Sequence, residues 1–368
     1  MDRNRILLVS QINPLKPFGS HIRPWMLAKT IARLGWKVTS LAPGPVPGLA
    51  FLRADYLGES YLVHPINVLV SYRDLVKHER QINIIYCHRP VAALLYSILR
   101  RVSSDKPVLV IDWHSAGSFE STGLTRVVHL LTDFILVGSC DALVVPSAEL
   151  ALHLQKLGAP QGRIHVIGNG VEADRIRPPS GSERDISRHK LGLTNGVVVL
   201  LVAPSHFPSN NAAADIAVRV AKALESYKEL HFLFVGAKPG TAQNVTWLQF
   251  IPDIRDALWA SDIAMAPFPV DARAGGARNK VLEYMSAGLP LVATAEGMRG
   301  IPNACPGVHY KQAEYSVDSI AADILELARD IKTRQKLGSS ARALICTENS
   351  WKSKGEQLAC LLRQVEQT

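Results

Sequence analysis

Ala277-Arg278-Asn279-Lys280-Val281-Leu282-Glu283-Tyr284-Met285-Ser286-Ala287-Gly288-Leu289-Pro290-Leu291-Val292-Ala293-Thr294 reads as the end of a glycine-containing loop, a helix, a Gly-Pro turn and a buried strand. The helix opens with a guanidinium and an ammonium. First-turn backbone N–H groups lack helical partners and the helix dipole favours negative charge there, so this start is an anion site. Glu283 follows within the next turn, where a carboxylate accepts hydrogen bonds from sugar hydroxyls. Cations for a diphosphate beside a carboxylate for a ribose describe a pocket for a nucleotide-sugar.

Outward from this stretch, apolar strands and helices alternate. In the second half, strands are expected at Val197–Val202, His231–Val235, Trp247–Phe250, Ile263–Ala266 and Pro290–Thr294. Helices are expected at Asn211–Ser226, Asn279–Ala287 and Ser316–Thr333. In the first half, strands are expected at Arg5–Ser10, Trp36–Leu41, Ile82–Tyr86, Val108–Ile111, Ala142–Val145 and Ile164–Ile167, with helices at Ser20–Leu34, Val91–Arg101 and Leu124–Gly138. Near-continuous apolar strands separated by helices predict parallel sheets covered on both faces. The halves echo each other: Asp141-Ala142-Leu143-Val144-Val145-Pro146 and Asp262-Ile263-Ala264-Met265-Ala266-Pro267 are each an acid, an apolar strand and a terminating proline. Twin Rossmann-like domains account for this. The boundary is read after Val171, with Arg175–Ser187, rich in Pro, Ser and charge, as a linker. Ser350–Gln364 reads as a last helix.

Three segments carry a family resemblance. Arg278–Thr294 resembles the donor-binding motif of GT-B glycosyltransferases, especially family 4. Val166-Ile167-Gly168-Asn169-Gly170-Val171-Glu172 is similar to that family's interdomain segment of the form V-I-P-N-G-V-D, and Phe232-Leu233-Phe234-Val235-Gly236 to its strand-then-glycine before the nucleotide pocket. The resemblance implies an α/β GT-B fold, two Rossmann-like domains facing each other across a cleft, with a C-terminal helix crossing back to the N-terminal domain. The expected spans are 1–172 for an acceptor-binding domain, 173–348 for a nucleotide-sugar-binding domain and 349–368 for the returning helix.

Four loops are then candidates for chemistry, since loops at the carboxyl edges of such sheets form ligand crevices. In the first, Gly19, Ser20 and His21 precede a helix and correspond to the family's acceptor-facing glycine loop. In the second, His114 follows a strand and is the expected catalytic histidine; Asp112-Trp113-His114 also resembles a D-W-H-N stretch of the eukaryotic β-mannosyltransferase that extends dolichol-linked chitobiose. His88 is a second, acceptor-side histidine. In the third, Ser205 and His206 stand where many relatives carry an Arg and a Lys for the diphosphate. In the fourth, Gly275 occupies the position of the first of the family's two glutamates, so backbone amides of Gly275, Gly276 and Ala277 are expected to substitute, glycine permitting close approach. Arg273, Arg278 and Lys280 become the diphosphate cations, with Glu283 and Gly236 completing the donor site.

Departure of a nucleoside diphosphate develops negative charge, and fixed cations stabilise it. The resemblance implies side chains and helix dipoles in place of a bound metal, and the lack of a D-x-D-like pair near these motifs agrees; no cofactor is expected. The family retains anomeric configuration, whereas the D-W-H resemblance favours inversion. The acceptor is read as lipid-linked or a polysaccharide. A sugar-nucleotide epimerase and a non-catalytic partner subunit are the alternatives; the first lacks a cleft carboxylate at Gly275.

Composition fits two domains in 368 residues. No apolar run of membrane-spanning length and no signal-peptide pattern is read. Five scattered cysteines, Cys87, Cys140, Cys305, Cys346 and Cys360, suggest free thiols in a reducing cytoplasm. Residues 1–170 hold 18 Lys and Arg against 11 Asp and Glu, a net of +7 within a total of +9. The absence of dense cationic clusters with interleaved aromatics argues against nucleic acid. The basic half, with Tyr61–His78, is instead expected to contact the inner face of an anionic membrane peripherally.

Overall fold

Among the described residues every strand pairing is parallel, within two separate sheets. The computed structural model describes residues 4–10, 22–42, 44–53, 82–88, 93, 96–97, 106–114, 123–193, 196–205, 208–270 and 278–367. They divide into two compact units: one within Met1–Gly170 and Trp351–Thr368, the other within Val171–Arg273 and Ala277–Ser350.

The first sheet contains β1 (Arg5–Ser10), β2 (Lys37–Ala42), β3 (Ala50–Arg53), β4 (Ile84–His88), β5 (Val108–Asp112), β6 (Ala142–Val145) and β7 (Ile164–Val166), in the order β3-β2-β1-β4-β5-β6-β7. The second contains β8 (Val197–Val202), β9 (Leu230–Val235), β10 (Val245–Leu248), β11 (Ile263–Ala266), β12 (Leu291–Ala293) and β13 (Lys311–Gln312), in the order β10-β9-β8-β11-β12-β13. Both are doubly wound, and the order reverses between β1 and β4 and between β8 and β11. A crevice outside the carboxyl ends is expected at such a reversal. Side chains alternate across the first sheet: Leu7, Val9, Ile85, Ile111 and Leu143 enter one core, and Ile6, Leu8, Ile84, Val110 and Val144 the other. Burial on both faces is why these strands are apolar at every position.

The helices are α1 (Arg23–Arg33), α2 (Gly123–Val137), α3 (Ala148–Lys156), α4 (Gly181–Lys190), α5 (Pro208–Ala223), α6 (Ile254–Ala260), α7 (Asn279–Ser286), α8 (Val317–Arg329), α9 (Ile331–Glu348) and α10 (Trp351–Gln367). Helices α3 and α6 form where no helix was expected, and two more departures have a visible cause. The segment read as a linker forms α4, started by a reciprocal box: Ser180 Oγ accepts from Glu183 N–H, and Glu183 accepts from Ser180 N–H. The segment read as one helix to Thr333 breaks at Asp330, an extended residue whose carboxylate accepts from Lys332 and Thr333 N–H and starts α9.

The acid-strand-proline echo has a shared structural cause. Asp141 N–H donates to Leu109 O while its carboxylate accepts from Leu109 N–H at 2.8 Å. Asp262 N–H donates to Val198 O while its carboxylate accepts from Val198 N–H at 2.9 Å. Each acid locks the start of its strand to the second residue of the neighbouring strand.

Helix α10 packs on the first unit, as the resemblance implies: Trp351, Leu358, Leu361 and Leu362 join the core of Ile6, Leu8 and Trp25. Gly170 admits this return, because a Cβ there would lie 2.8 Å from Trp351 N. Gly355 lets α10 approach α1; an added Cβ would meet Thr30 Cγ2 at 2.2 Å and Thr30 Cβ at 2.5 Å. Alanine normally gains about 1 kcal/mol over glycine inside a helix, but overpacking costs about 1–3 kcal/mol. Gly355→Ala should therefore destabilise the first unit, and an unchanged denaturation midpoint would show that the helices separate without cost.

Candidate active site

In the second unit, side chains from four elements meet at the β8/β11 reversal. Arg278 is the N-cap residue of α7, where no side chain caps the helix. Its guanidinium is buried, reaches Glu296 Oε1 at 2.7 Å and Ser209 Oγ at 3.4 Å, and stacks 4.0 Å from the Phe268 ring centroid. Glu296 also receives Arg299 at 2.6 Å. Lys280, half-buried in the first turn of α7, donates to Asn210 Oδ1 at 2.7 Å and lies 5.4 Å from the same ring. Asn210 is fixed in turn by donating to Pro204 O at 2.9 Å. Tyr284 OH accepts from Val202 N–H at 2.7 Å, tying α7 to the end of β8. Ser205 N–H donates to Gly236 O at 3.0 Å. Gly236 has φ +79°, and a Cβ there would stand 2.9 Å from Pro204 Cα, so only glycine lets β9 close on this loop.

The electrostatics of this group are unusual. Burial, reinforced by the neighbouring Arg278, pushes the Lys280 ammonium down to about 7 against the pull of Glu283. Burial pushes Glu283 up to about 7, opposed by Lys280 and Arg175. Perturbed titratable pairs of this kind gather at functional sites. The sequence places Arg278 beside free amides as a ligand cation. In the structure it precedes the helix and is paired with Glu296, a partner that no motif spacing announces. Lys280 keeps its place at the helix opening. Asn210, Phe268, Thr294 and Glu296 were given no role in the sequence reading. Thr294 Oγ1 donates to Phe268 O at 2.6 Å and accepts from Phe268 N–H at 3.1 Å, which holds the ring beneath the two cations.

In the first unit, Asp112, the last residue of β5, is fully buried at the carboxyl edge of the sheet. Arg23 Nε donates to both of its oxygens at 3.0 Å. The remaining nitrogens of Arg23 reach Gly168 O at 2.9 Å, Asn169 Oδ1 at 2.9 Å and Ile167 O at 2.8 Å. The Gly168-Asn169-Gly170 run of the resemblance segment thus cradles a guanidinium, and its Gly170 leaves room for Trp351. His88 Nδ1 lies 3.3 Å from Asp112 Oδ2, and the His88 and His114 rings are 5.9 Å apart. Burial alone would raise the Asp112 carboxyl, but Arg23, with His88 and His114, holds it well below the usual carboxylate range. His88 ends β4 two residues beyond the expected strand and is fully buried; His114 is buried too, rather than standing out at a rim. Arg23 and Asp112 carried no expected role, although Asp112 sat in the tetrad that drew attention to His114.

Gly19, Ser20, His21, His206, Arg273, Gly275, Gly276 and the segment Tyr61–His78 lie outside the described residues. Among the described residues, no group of three or more His, Cys, Asp or Glu could hold a metal ion, and Cys87, Cys305, Cys346 and Cys360 are free thiols. No described helix is long and apolar enough to cross a membrane.

Two family models match the chain. Glycosyltransferase Family 4 matches residues 19–175, and Glycosyl transferases group 1 matches residues 196–330. The chain belongs to the GT-B glycosyltransferases of the family 4 type. Solved structures share the fold of this glycosyltransferase at low identity. Sucrose-phosphate synthase of Thermosynechococcus elongatus aligns with TM-score 0.76 at 15% identity, over 99% of each chain. A glycosyltransferase of Rickettsia africae aligns with TM-score 0.77 at 14% identity, over 99% of each chain. HepE of Anabaena, in complex with UDP and glucose, aligns with TM-score 0.72 at 16% identity, over 97% of this chain and 99% of that one. Among curated proteins no relative matches the glycosyltransferase.

Proposed function

We propose that this glycosyltransferase moves a sugar from a nucleotide-sugar to a lipid-linked or polysaccharide acceptor, with retention of configuration and without a metal. The observation that carries this is the Lys280–Asn210–Phe268–Glu283 group at the strand-order reversal of the second unit. There, Lys280 at the α7 N-terminus faces the departing diphosphate, and its charge stabilises the leaving group. Glu283, one turn on, accepts from ribose hydroxyls. Arg278, braced by Glu296, fixes the position of Phe268 and the helix start. In the first unit, His114, beside Asp112 and His88, contacts the acceptor hydroxyl. HepE structures with UDP and with UDP-glucose support the choice of donor class.

A thermal-shift screen against nucleoside diphosphates tests the reading, since a ligand that binds only the folded state raises its apparent stability. At least one diphosphate should raise Tm, and Glu283→Gln should flatten that response while leaving the ligand-free Tm intact. Indifference of the wild-type protein to every nucleoside diphosphate would remove the proposal.

A further inference from the structure

Among the described residues, three cations gather at the start of α7. Arg278 is its N-cap, Lys280 lies in its first turn, and Arg299 follows the single 3₁₀ turn Glu296–Met298 after β12. Arg278 N–H donates to Arg299 O at 3.3 Å, so the chain leaving β12 lies against the cap. A helix N-terminus carries partial positive charge and disfavours cations. One carboxylate serves both guanidiniums: Glu296 takes Arg278 on Oε1 at 2.7 Å and Arg299 on Oε2 at 2.6 Å, each through Nη2. The two arginines are close enough to oppose each other's charge. Burial lowers the Arg278 pKa, Glu296 resists, and Arg299 adds to the lowering. Glu283, pushed up to about 7 by burial, supplies only part of a further counter-charge near neutrality. Positive charge is therefore in excess where the helix dipole already opposes it.

A second observation points to a ligand. The Arg278 side chain is 7% exposed, and among the described residues its Nε has no hydrogen-bond partner. A buried donor without an acceptor costs stability. Its Nη1 reaches Ser209 Oγ at a long 3.4 Å. Arg299, at 19% exposure, is the more accessible of the pair.

We propose that Arg278 and Arg299, bridged by Glu296, form a two-guanidinium clamp for a diphosphate group, and that Arg299 is a binding residue for it. Guanidinium forks match phosphate oxygens in pairs, which an ammonium does not. Glu296 is the positioning residue: it spends one Nη2 of each arginine and leaves the Arg278 Nε for the anion. The clamp rests on the nucleotide-sugar reading above, where the diphosphate is that of the donor, and it adds fixed positive charge to that of Lys280 as the leaving group departs.

The test is isothermal titration calorimetry with inorganic pyrophosphate and with UDP, ADP and GDP. Pyrophosphate and at least one nucleoside diphosphate should bind the wild-type protein, less tightly as salt is raised. Arg299→Met should weaken both by about tenfold or more. Arg299→Lys keeps the charge, loses the fork and should fold like the wild type while binding about threefold or more weaker, so the result does not depend on the methionine variant folding. Lys228→Met removes an exposed charge outside the clamp and should bind like the wild type. Wild-type affinity for a nucleoside diphosphate in both Arg299 variants overturns the clamp and leaves the nucleotide-sugar reading standing. An equal loss in Lys228→Met reduces the effect to net charge and also overturns it. Pyrophosphate binding that depends on Arg299, with no nucleoside diphosphate bound, upholds the clamp and removes the nucleotide-sugar reading. Indifference of the wild-type protein to all four ligands overturns both.

Discussion

Arg23→Met should cost the first unit about 3–5 kcal/mol, because it leaves the Asp112 carboxylate buried without its guanidinium. The loss combines an uncompensated charge with three carbonyl or amide oxygens of residues 167–169 that lose their donor. Adding Asp112→Asn should recover part of it, since the stranded charge is then gone and the two sites are coupled. The sign of the pH dependence follows from Asp112. Its folded pKa is depressed, so the pair's stabilisation is fully present above the ordinary carboxylate value of about 3.9. It is lost as pH falls below that value towards the folded one. The gap between wild type and Arg23→Met in urea denaturation should therefore shrink in acid. A gap below about 1 kcal/mol at neutral pH, the range of an exposed pair, would show that the cluster is solvated.

The second large effect is kinetic. Lys280→Met should lower turnover by about 10²–10³, the usual loss when one preorganised charge at a developing anion is removed. Stability should respond differently. The Lys280 pKa is lowered to about 7 in the fold, so its contribution is fully present above the ordinary lysine value of about 10.4 and is lost as pH falls through about 7. Near neutrality the buried charge already opposes folding. Methionine removes that opposition while leaving Asn210 Oδ1 without its donor, so Tm should change little or rise. Loss of activity without loss of Tm is the signature of a residue held for function against stability. In the wild type, kcat/KM should decline as pH rises through about 7 and the free enzyme's ammonium is lost. Full turnover in Lys280→Met would make this lysine a structural partner of Asn210 only.

Much of the architecture was legible because burial on both sheet faces leaves an unmistakable apolar run. Ala142–Val145, Val197–Val202 and Ile263–Ala266 form strands over the residues expected. Legibility failed where polar capping overrides periodicity. Helix α4 has few apolar residues and looked like a linker, although Ser180 and Glu183 spelled out its start. The strand expected at Trp247–Phe250 forms two residues earlier, leaving Phe250 exposed, because β10 is an edge strand whose apolar content does not fix its ends. At the candidate site, the cations of α7 were legible from one motif. Their partners were not: Glu296 lies 18 residues beyond Arg278 and Asn210 lies 70 before Lys280. Arg23 was hidden differently, as an ordinary charge at the head of a helix whose target, Asp112, is 89 residues away.

The return of α10 to the first unit has a consequence for biosynthesis. Chains commonly acquire structure from the N-terminal domain onward as they leave the ribosome. Here the core around Ile6, Leu8 and Trp25 stays open until Trp351, Leu358 and Leu362 emerge, and the whole of the second unit is translated in between. The second unit can therefore mature first, while the earlier-made strands β1 to β7 wait with an apolar face uncovered. Nascent chains stalled before residue 351 would expose that face to chaperones, and a short deletion at the C-terminal end would damage the half of the protein that was synthesised first.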